Sequence, residues 1–454
     1  MAINTVNPTT NKLVKSFEKM SNEEVDKIIE LSHKSFHNWR DTTFEYRATL
    51  ILNVANILRN NKNKYAEIMT LEMGKPITQS LAEVEKCAWV CEYYAENAEL
   101  MLKKEVVETD ASESFVQFDP IGIVLAVMPW NYPLWQVLRF AAPALMAGNV
   151  CLLKHASNVP MSALAIEEIF VEAGLPEGTF KTLLIDSSQV ESVISNPLIK
   201  ATTLTGSEPA GMAVASTSGK ALKKSVMELG GSDPFIVFND ANIDEAVNVG
   251  VTARILNNGQ SCIAAKRFIL VDEIADEFEH KFVDKMNLLV VGNPMESATE
   301  LGPIAREDLL LELDYQVKTS EQQGAKILCG GKRIDREGAF YPATVLSNVR
   351  KGMLAYNEEL FGPVAIIIRA KDEMDAIRIA NDTPFGLGAS LWTNNIEKAK
   401  QVAREINSGS VFVNGLVKSD PRLPFGGTKM SGYGRELSHY GIKEFVNIKT
   451  IWIK

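Results

Sequence analysis

With 454 residues, 46% of them hydrophobic and 23% charged, the chain has the make-up of a soluble globular protein, long enough for roughly three domains of ~150 residues. A net charge of −10 argues against a nucleic-acid partner, which needs a basic face. The most apolar stretch, Ile121 to Leu153, is interrupted by Pro129, Asn131, Pro133, Arg139 and Pro143; it cannot supply the ~20 unbroken apolar residues of a membrane span, so no membrane partner is expected.

Ser21-Asn22-Glu23-Glu24 reads as a capping box that opens a helix, and the pattern stays helical with a charged surface to about Met101. From Val106 to Phe118 polar and apolar residues alternate, as in Phe115-Val116-Gln117-Phe118, which predicts a strand ribbon projecting from the body. Between Ile121 and Glu228 strands and helices alternate. Ile121–Met128 and Val150–Leu153 are short apolar runs, Pro160–Glu172 is a helix with proline at its start and Gly174 after its end, and Thr182–Ile185 and Thr202–Leu204 are further strands. This is the pattern of a doubly wound parallel sheet, a class that binds nucleotides at the carboxyl ends of its strands, although no Gly-x-Gly-x-x-Gly is present.

A second alternating set follows Gly231, with a strand at Pro234–Phe238, a helix at Ile243–Leu256 and a strand at Phe268–Val271. In the next segment Ile274, Phe278, Phe282, Met286 and Leu289 form one apolar helix face, and Val411-Phe412-Val413 is a late strand. The chain ends in the alternating run Phe445 to Ile453. Left unpaired, this run and the Val106–Phe118 ribbon would be aggregation-prone edges, so they are expected to pair across subunits of a homodimer or homotetramer.

The cysteines are Cys87, Cys91, Cys151, Cys262 and Cys329, an odd number in a long chain; this fits a reducing cytoplasm, as does an N-terminus without a basic and apolar leader. Cys87 with Cys91 and His33 with His37 are each one helical turn apart but have no further ligands nearby in sequence, so no metal is expected.

Cys262 differs from the other cysteines in its setting, the polar turn Asn257-Asn258-Gly259-Gln260-Ser261-Cys262 before the apolar run Arg267-Phe268-Ile269-Leu270-Val271. Alone it could be a buried structural thiol. Together with Glu228-Leu229-Gly230-Gly231 and Pro129-Trp130-Asn131 it completes a set of thiol, carboxylate and side-chain amide, the nucleophile, base and oxyanion donor that acyl chemistry needs.

These motifs occur in one order with Lys154, Thr205-Gly206-Ser207, Glu359-Leu360-Phe361-Gly362-Pro363 and Pro424-Phe425-Gly426-Gly427, followed by Gly434-Arg435-Glu436. In that order, over essentially the whole length, the chain resembles the aldehyde dehydrogenase superfamily. Gly230-Gly231-Ser232-Asp233-Pro234-Phe235 and Arg435-Glu436-Leu437-Ser438-His439-Tyr440-Gly441 are similar to the short bacterial and cyanobacterial succinate-semialdehyde dehydrogenases. The resemblance implies an α/β fold of two doubly wound domains, a variant Rossmann cofactor domain and a catalytic domain, plus a β-ribbon oligomerisation element. The expected boundaries are 1–102 and 121–229 for the cofactor domain, 230–435 for the catalytic domain, and 103–120 with 436–454 for the ribbon and C-terminal strand.

By the same resemblance, Cys262 is the nucleophile, Asn131 and the Cys262 N–H hold the oxyanion, and Glu228 activates the water that hydrolyses the thioester. Relatives that pass the acyl group to coenzyme A lack a glutamate there. The cofactor residues implied are Pro129, Trp130, Lys154, Ser157, Gly206, Ser207, Leu229, Glu359 and Phe361. Many relatives carry a glutamate where Ser157 stands; a carboxylate would repel a 2′-phosphate, whereas a hydroxyl beside Lys154 can donate to it, so NADP+ is expected to be preferred and NAD+ accepted.

For the substrate, Arg139 is either half of an internal salt bridge or a bidentate clamp for a carboxylate, because a lone arginine in an apolar helix is costly unless paired. Trp135, Ser419 and Phe425 would complete the channel. The expected substrate is a small aldehyde carrying a carboxylate, succinate semialdehyde first, with glutarate semialdehyde, lactaldehyde or an aromatic aldehyde as alternatives.

Overall fold

The computed structural model describes residues 2–454 and is an α/β protein built on two large sheets. The first has six strands in the spatial order Gly432–Tyr433, Lys224–Glu228, Ile199–Thr205, Ile123–Met128, Val150–His155, Phe180–Thr182. All pair in parallel except the short Gly432–Tyr433 edge. Within Ile123–Met128 every residue but Val127 is buried, because helices cover both faces of the sheet; hence the unbroken apolar run instead of an alternation.

The second sheet has seven strands in the order Lys326–Cys329, Thr344–Ser347, Val364–Ala370, Ala265–Val271, Asp233–Val237, Gly388–Trp392, Ser410–Val413, antiparallel only at the Lys326–Cys329 edge. Successive side chains point to opposite faces. Accordingly Phe235, Val237, Phe268 and Leu270 enter one core with Phe278, Phe282 and Trp392, while Ile236, Ile269 and Val271 enter the other with Ile366 and Leu391. The Phe268 and Phe282 rings, 4.6 Å apart, seat the helix Asp272–Asn287 on this sheet.

Helices Asn22–Trp39, Phe44–Asn60, Lys62–Met73 and Ile77–Met101 fill the helical N-terminal region. The Ser21 capping box is present: Ser21 Oγ accepts the Glu24 N–H at 3.2 Å, and Glu24 Oε2 accepts the Ser21 N–H at 2.7 Å. Ahead of it lies a hairpin, Ile3–Asn7 with Lys12–Phe17, that the sequence reading did not anticipate. The strand expected at Thr182–Ile185 lies earlier, at Phe180–Thr182; beyond it only the Leu183 N–H continues the ladder, to Leu153 O at 2.7 Å.

The expected pairing of the ribbon with the C-terminal run across subunits is corrected. The two pair within one chain, Glu113–Pro120 antiparallel to Val446–Ile453 in register from Pro120↔Val446 to Glu113↔Ile453, with Glu105–Val106 as a third strand. Each strand thus pairs along one side with the other in the same chain, and Val446–Ile453 forms an edge of the three-stranded sheet.

In the first sheet Ile123–Met128 and Ile199–Thr205 are neighbours, yet from them the chain winds outward in opposite directions. That is a topological switch point, where a crevice opens at the carboxyl ends of the strands. Pro129-Trp130-Asn131 and Gly206-Ser207 follow these two strands directly. The Cys262 turn reaches the same place from the amino end of strand Ala265–Val271 in the other sheet.

Candidate active site

Asn257, Asn258 and Gly259 all take left-handed conformations, with φ of 60°, 58° and 72°. Such a run needs outside support, since left-handed backbone is unfavourable for residues bearing a Cβ. Asn258 Nδ2 donates to Gly74 O and Pro303 O, both at 2.9 Å, and Asn258 Oδ1 accepts the Gly302 N–H at 2.8 Å. Asn257 Nδ2 donates to Asn131 O at 2.8 Å and to Gln260 O at 3.0 Å. A side chain at Gly259 would run into the Gly362 backbone. Lys266 Nζ then holds the carbonyls of Ser261 and Cys262, at 2.8 and 2.9 Å. The loop that delivers Cys262 is therefore fixed on both sides of the thiol.

Cys262 lies on the wall of a cavity of about 410 Å3, together with Pro129, Trp130, Asn131, Leu229 and Phe361. Burial pushes its thiol up to about 12, against the opposing charges of Arg139 and Lys266. One Asn131 N–H donates to Gln260 O at 3.1 Å, while Asn131 Oδ1 is buried without a partner. Among the described residues, the Cys262 N–H donates to no backbone carbonyl. An amide and a backbone donor thus sit beside the thiol, the arrangement an oxyanion needs.

Glu228 ends the strand Lys224–Glu228 and is 2% exposed, with both carboxyl oxygens unpartnered. It sits behind Leu229, off the cavity wall. Burial, then the charge of Glu436, holds its carboxyl well above the usual carboxylate range, against Arg139 and Arg435. Gly426, at φ 150°, makes room for it: a Cβ there would lie 2.6 Å from Glu228 Oε1. The two glycines that follow have separate uses. Gly230 lets the Glu208 and Glu359 carboxylates close over the backbone, and Gly231 lets the Cys262 carbonyl approach, to 2.7 Å from where a Cβ would stand.

The cavity fits a dinucleotide. Trp130 and Phe361 stand edge to face 5.7 Å apart, as walls for a planar ring. Gly206 and Ser207 precede the helix Glu208–Lys220 and turn its first N–H groups toward the cavity, where phosphates are stabilised. Glu359 is paired with Lys266 at 2.8 Å, but its Oε1 still lacks a hydrogen-bond donor of good geometry. Lys154 and Ser157 are at the carboxyl end of the neighbouring strand Val150–His155, next to the cavity rather than on its wall. Burial lowers the Lys154 ammonium, and no carboxylate lies within 4.0 Å of it among the described residues. Lys266 and Glu208 were missed in the sequence; the signal for Lys266 was a lysine at the mouth of a fully buried strand.

Arg139, read as either half of an internal salt bridge or a carboxylate clamp, is brought against Glu436. The side chain is 2% exposed and ion-paired with Glu436; Nη2 donates to Thr205 Oγ1 at 3.2 Å, and the guanidinium lies 4.8 Å from the Phe425 ring. Buried arginine is stable only when paired, and Glu436 is its partner. Phe425 is accordingly packed on Arg139 in the interior. Trp135 opens the helix Trp135–Met146, and its N–H and that of the capping Leu134 both donate to Glu83 Oε1 at 2.9 Å. Ser419, 5% exposed, is brought to the same neighbourhood, where its Oγ accepts a hydrogen bond from Lys86 Nζ at 2.7 Å.

Residues 1–451 match the aldehyde dehydrogenase family. A probable succinate-semialdehyde dehydrogenase (NADP(+)) of Synechocystis sp. is 52% identical over the whole of both chains. Succinate-semialdehyde dehydrogenase (NADP(+)) 1 of Mycobacterium tuberculosis is 50% identical, again over the whole of both. The crystal structure of succinic semialdehyde dehydrogenase from Streptococcus pyogenes in complex with NADP+ superposes with a TM-score of 0.98 at 39% identity, covering all of both chains.

Proposed function

The chain belongs to the aldehyde dehydrogenase family, and from that premise we propose that it oxidises succinate semialdehyde to succinate, with NADP+ preferred and NAD+ accepted. The observation that carries the chemistry is the Cys262 thiol opening onto a dinucleotide-sized cleft between an amide and a free backbone donor. The substrate rests on the relatives, about half identical over their full length.

In this reading the Cys262 thiolate adds to the aldehyde carbon. The C–S bond forms as the carbonyl electron pair moves to oxygen, and Asn131 Nδ2 with the Cys262 N–H holds the oxyanion. A bound nicotinamide supplies the hydride acceptor that takes the adduct to the thioester level. Glu228 then takes a proton from water as that water attacks the thioester carbon, and the C–S bond breaks to release the acid and the Cys262 thiolate. To do so the carboxyl must leave its buried site, and Gly230-Gly231 supplies the flexible backbone beside it. Lys154 and Ser157 are read as the contacts to a 2′-phosphate, supported by a desolvated ammonium with no carboxylate against it.

The division into residues 1–102 with 121–229, 230–435, and 103–120 with 436–454 belongs to the same reading, supported by a large sheet centred in each of the first two units, the six-stranded one taking its Gly432–Tyr433 edge from the second. A homodimer or homotetramer formed through the ribbon sheet is supported by exposed Ile448, Trp452 and Ile453. A cytoplasmic setting is supported by five unpaired cysteines.

Initial rates with succinate semialdehyde and matched NADP+ or NAD+, with Cys262→Ala as blank, test the proposal. Turnover that vanishes in the variant and is faster with NADP+ is expected. Faster turnover with NAD+ would overturn the Ser157 argument, and none with either cofactor would overturn the substrate.

A further inference from the structure

The two donors beside the thiol are held in different ways. Asn131 is anchored by its own bonds: its Nδ2 donates to Gln260 O at 3.1 Å, and its carbonyl accepts from Asn257 Nδ2 at 2.8 Å. The Cys262 N–H has no side chain to aim it. It belongs to the planar, trans peptide unit between Ser261 and Cys262, in which the Ser261 carbonyl and the Cys262 N–H point in opposite directions. Whatever holds that carbonyl therefore aims that N–H.

Ser261 O accepts two bonds, from Lys266 Nζ at 2.8 Å and from the Ala264 N–H at 3.1 Å. The shorter one is charged. The same ammonium donates to Cys262 O at 2.9 Å and pairs with Glu359 at 2.8 Å, so a single side chain grips the backbone on both sides of the nucleophile and a carboxylate on the wall of the same cavity. Lys266 is 1% exposed, at the start of the buried strand Ala265–Val271. Its charge is felt at Asp233 as well as at Glu359, and these two carboxylates compensate a cation that burial would otherwise expel.

A cation on a carbonyl also polarises the peptide unit, which makes the N–H at its other end a better donor. The Cys262 N–H is thus both directed and strengthened from behind, while it donates to no backbone carbonyl itself.

We propose that Lys266 is the positioning residue of the oxyanion site, aiming the Cys262 N–H at the aldehyde oxygen through the Ser261 carbonyl. This rests on the reading of Cys262 as the nucleophile given above. As the sulfur adds to the carbonyl carbon, the C=O electron pair moves onto oxygen, and the N–H donates to that oxygen without giving up its proton.

The test compares two rates in the wild type and in Lys266→Met, which keeps an unbranched side chain and removes the charge. One is NADPH formation in the first turnover at saturating NADP+ and succinate semialdehyde; the other is alkylation of Cys262 by iodoacetamide, a displacement in which no oxyanion forms. The first turnover should fall by about 10- to 100-fold, with half-saturation by the aldehyde little changed. Alkylation should slow only a few-fold, through the loss of one of the charges that favour the thiolate. Equal losses in the two rates would place the effect on the thiol or on the loop as a whole and overturn the proposal, as would an unchanged first turnover. Because Lys266→Met leaves Glu359 buried without its cation, the same comparison is made between Glu359→Gln and Lys266→Met/Glu359→Gln, with the melting temperature as the check of folding, and the same split is expected. A wild type active on butanal but not on succinate semialdehyde overturns the substrate reading alone, and the comparison then runs on butanal; a wild type inactive on both overturns the reading of Cys262 and this proposal with it.

Discussion

The Cys262 thiol is poised but not ionised. Burial raises its pKa to about 12, and Arg139 and Lys266 offset only part of that. Because the shift is upward, the thiolate is scarce at neutrality and its fraction grows with pH until the pKa is reached. Alkylation of Cys262 by iodoacetamide in cofactor-free protein, followed by peptide mass, should therefore speed up about tenfold per pH unit between about pH 7 and 9. A plateau within that window would show that the thiolate is already formed at rest. Cys262, Glu228 and Asn131 stood out in the sequence because together they form a set of thiol, carboxylate and side-chain amide that acyl chemistry needs. Arg139 was ambiguous for a physical reason: a salt bridge and a substrate clamp call for the same residue in the same apolar helix, and its ion-pair partner, Glu436, lies far along the chain.

At the scale of elements, the left-handed turn Asn257-Asn258-Gly259 depends on side-chain amides from within itself. Asn258→Ala would strip the Gly74 and Pro303 carbonyls and the Gly302 N–H of their partner inside the protein. The loss should be about 3 kcal/mol, read as a lower urea midpoint at unchanged slope. An unchanged midpoint would mean that the turn is held by other contacts. The sequence revealed elements whose boundaries carry local chemistry: the Ser21 capping box, and the helix Pro160–Glu172 with its leading proline. It hid those decided by distant partners. The strand Phe180–Thr182 is set by pairing with Cys151–Leu153 rather than by its own pattern, and the second hairpin strand, Lys12–Phe17, is exposed almost throughout and has no buried face to mark it.

On the scale of the whole molecule, the ribbon sheet still presents an apolar face after pairing with itself, with Ile448 61% and Trp452 49% exposed. Trp452→Glu would put a charge on that face. If it is the assembly surface, sedimentation should show a shift toward the monomer with turnover on the same substrate as the check of folding; an unchanged sedimentation coefficient would exclude it. The same topology orders events in time. Strand Val446–Ile453 closes a sheet begun by residues 105–120, and Gly432–Tyr433 lies alongside Glu228, so the ribbon and the six-stranded sheet both wait for residues 432–453. Glu436, the counter-ion of Arg139, also comes from this last stretch. During translation these residues emerge after the partners they pair with, so the nascent chain holds an unfinished catalytic pocket and an open sheet edge until residues 432–453 have left the ribosome, and any assembly through the ribbon waits for them.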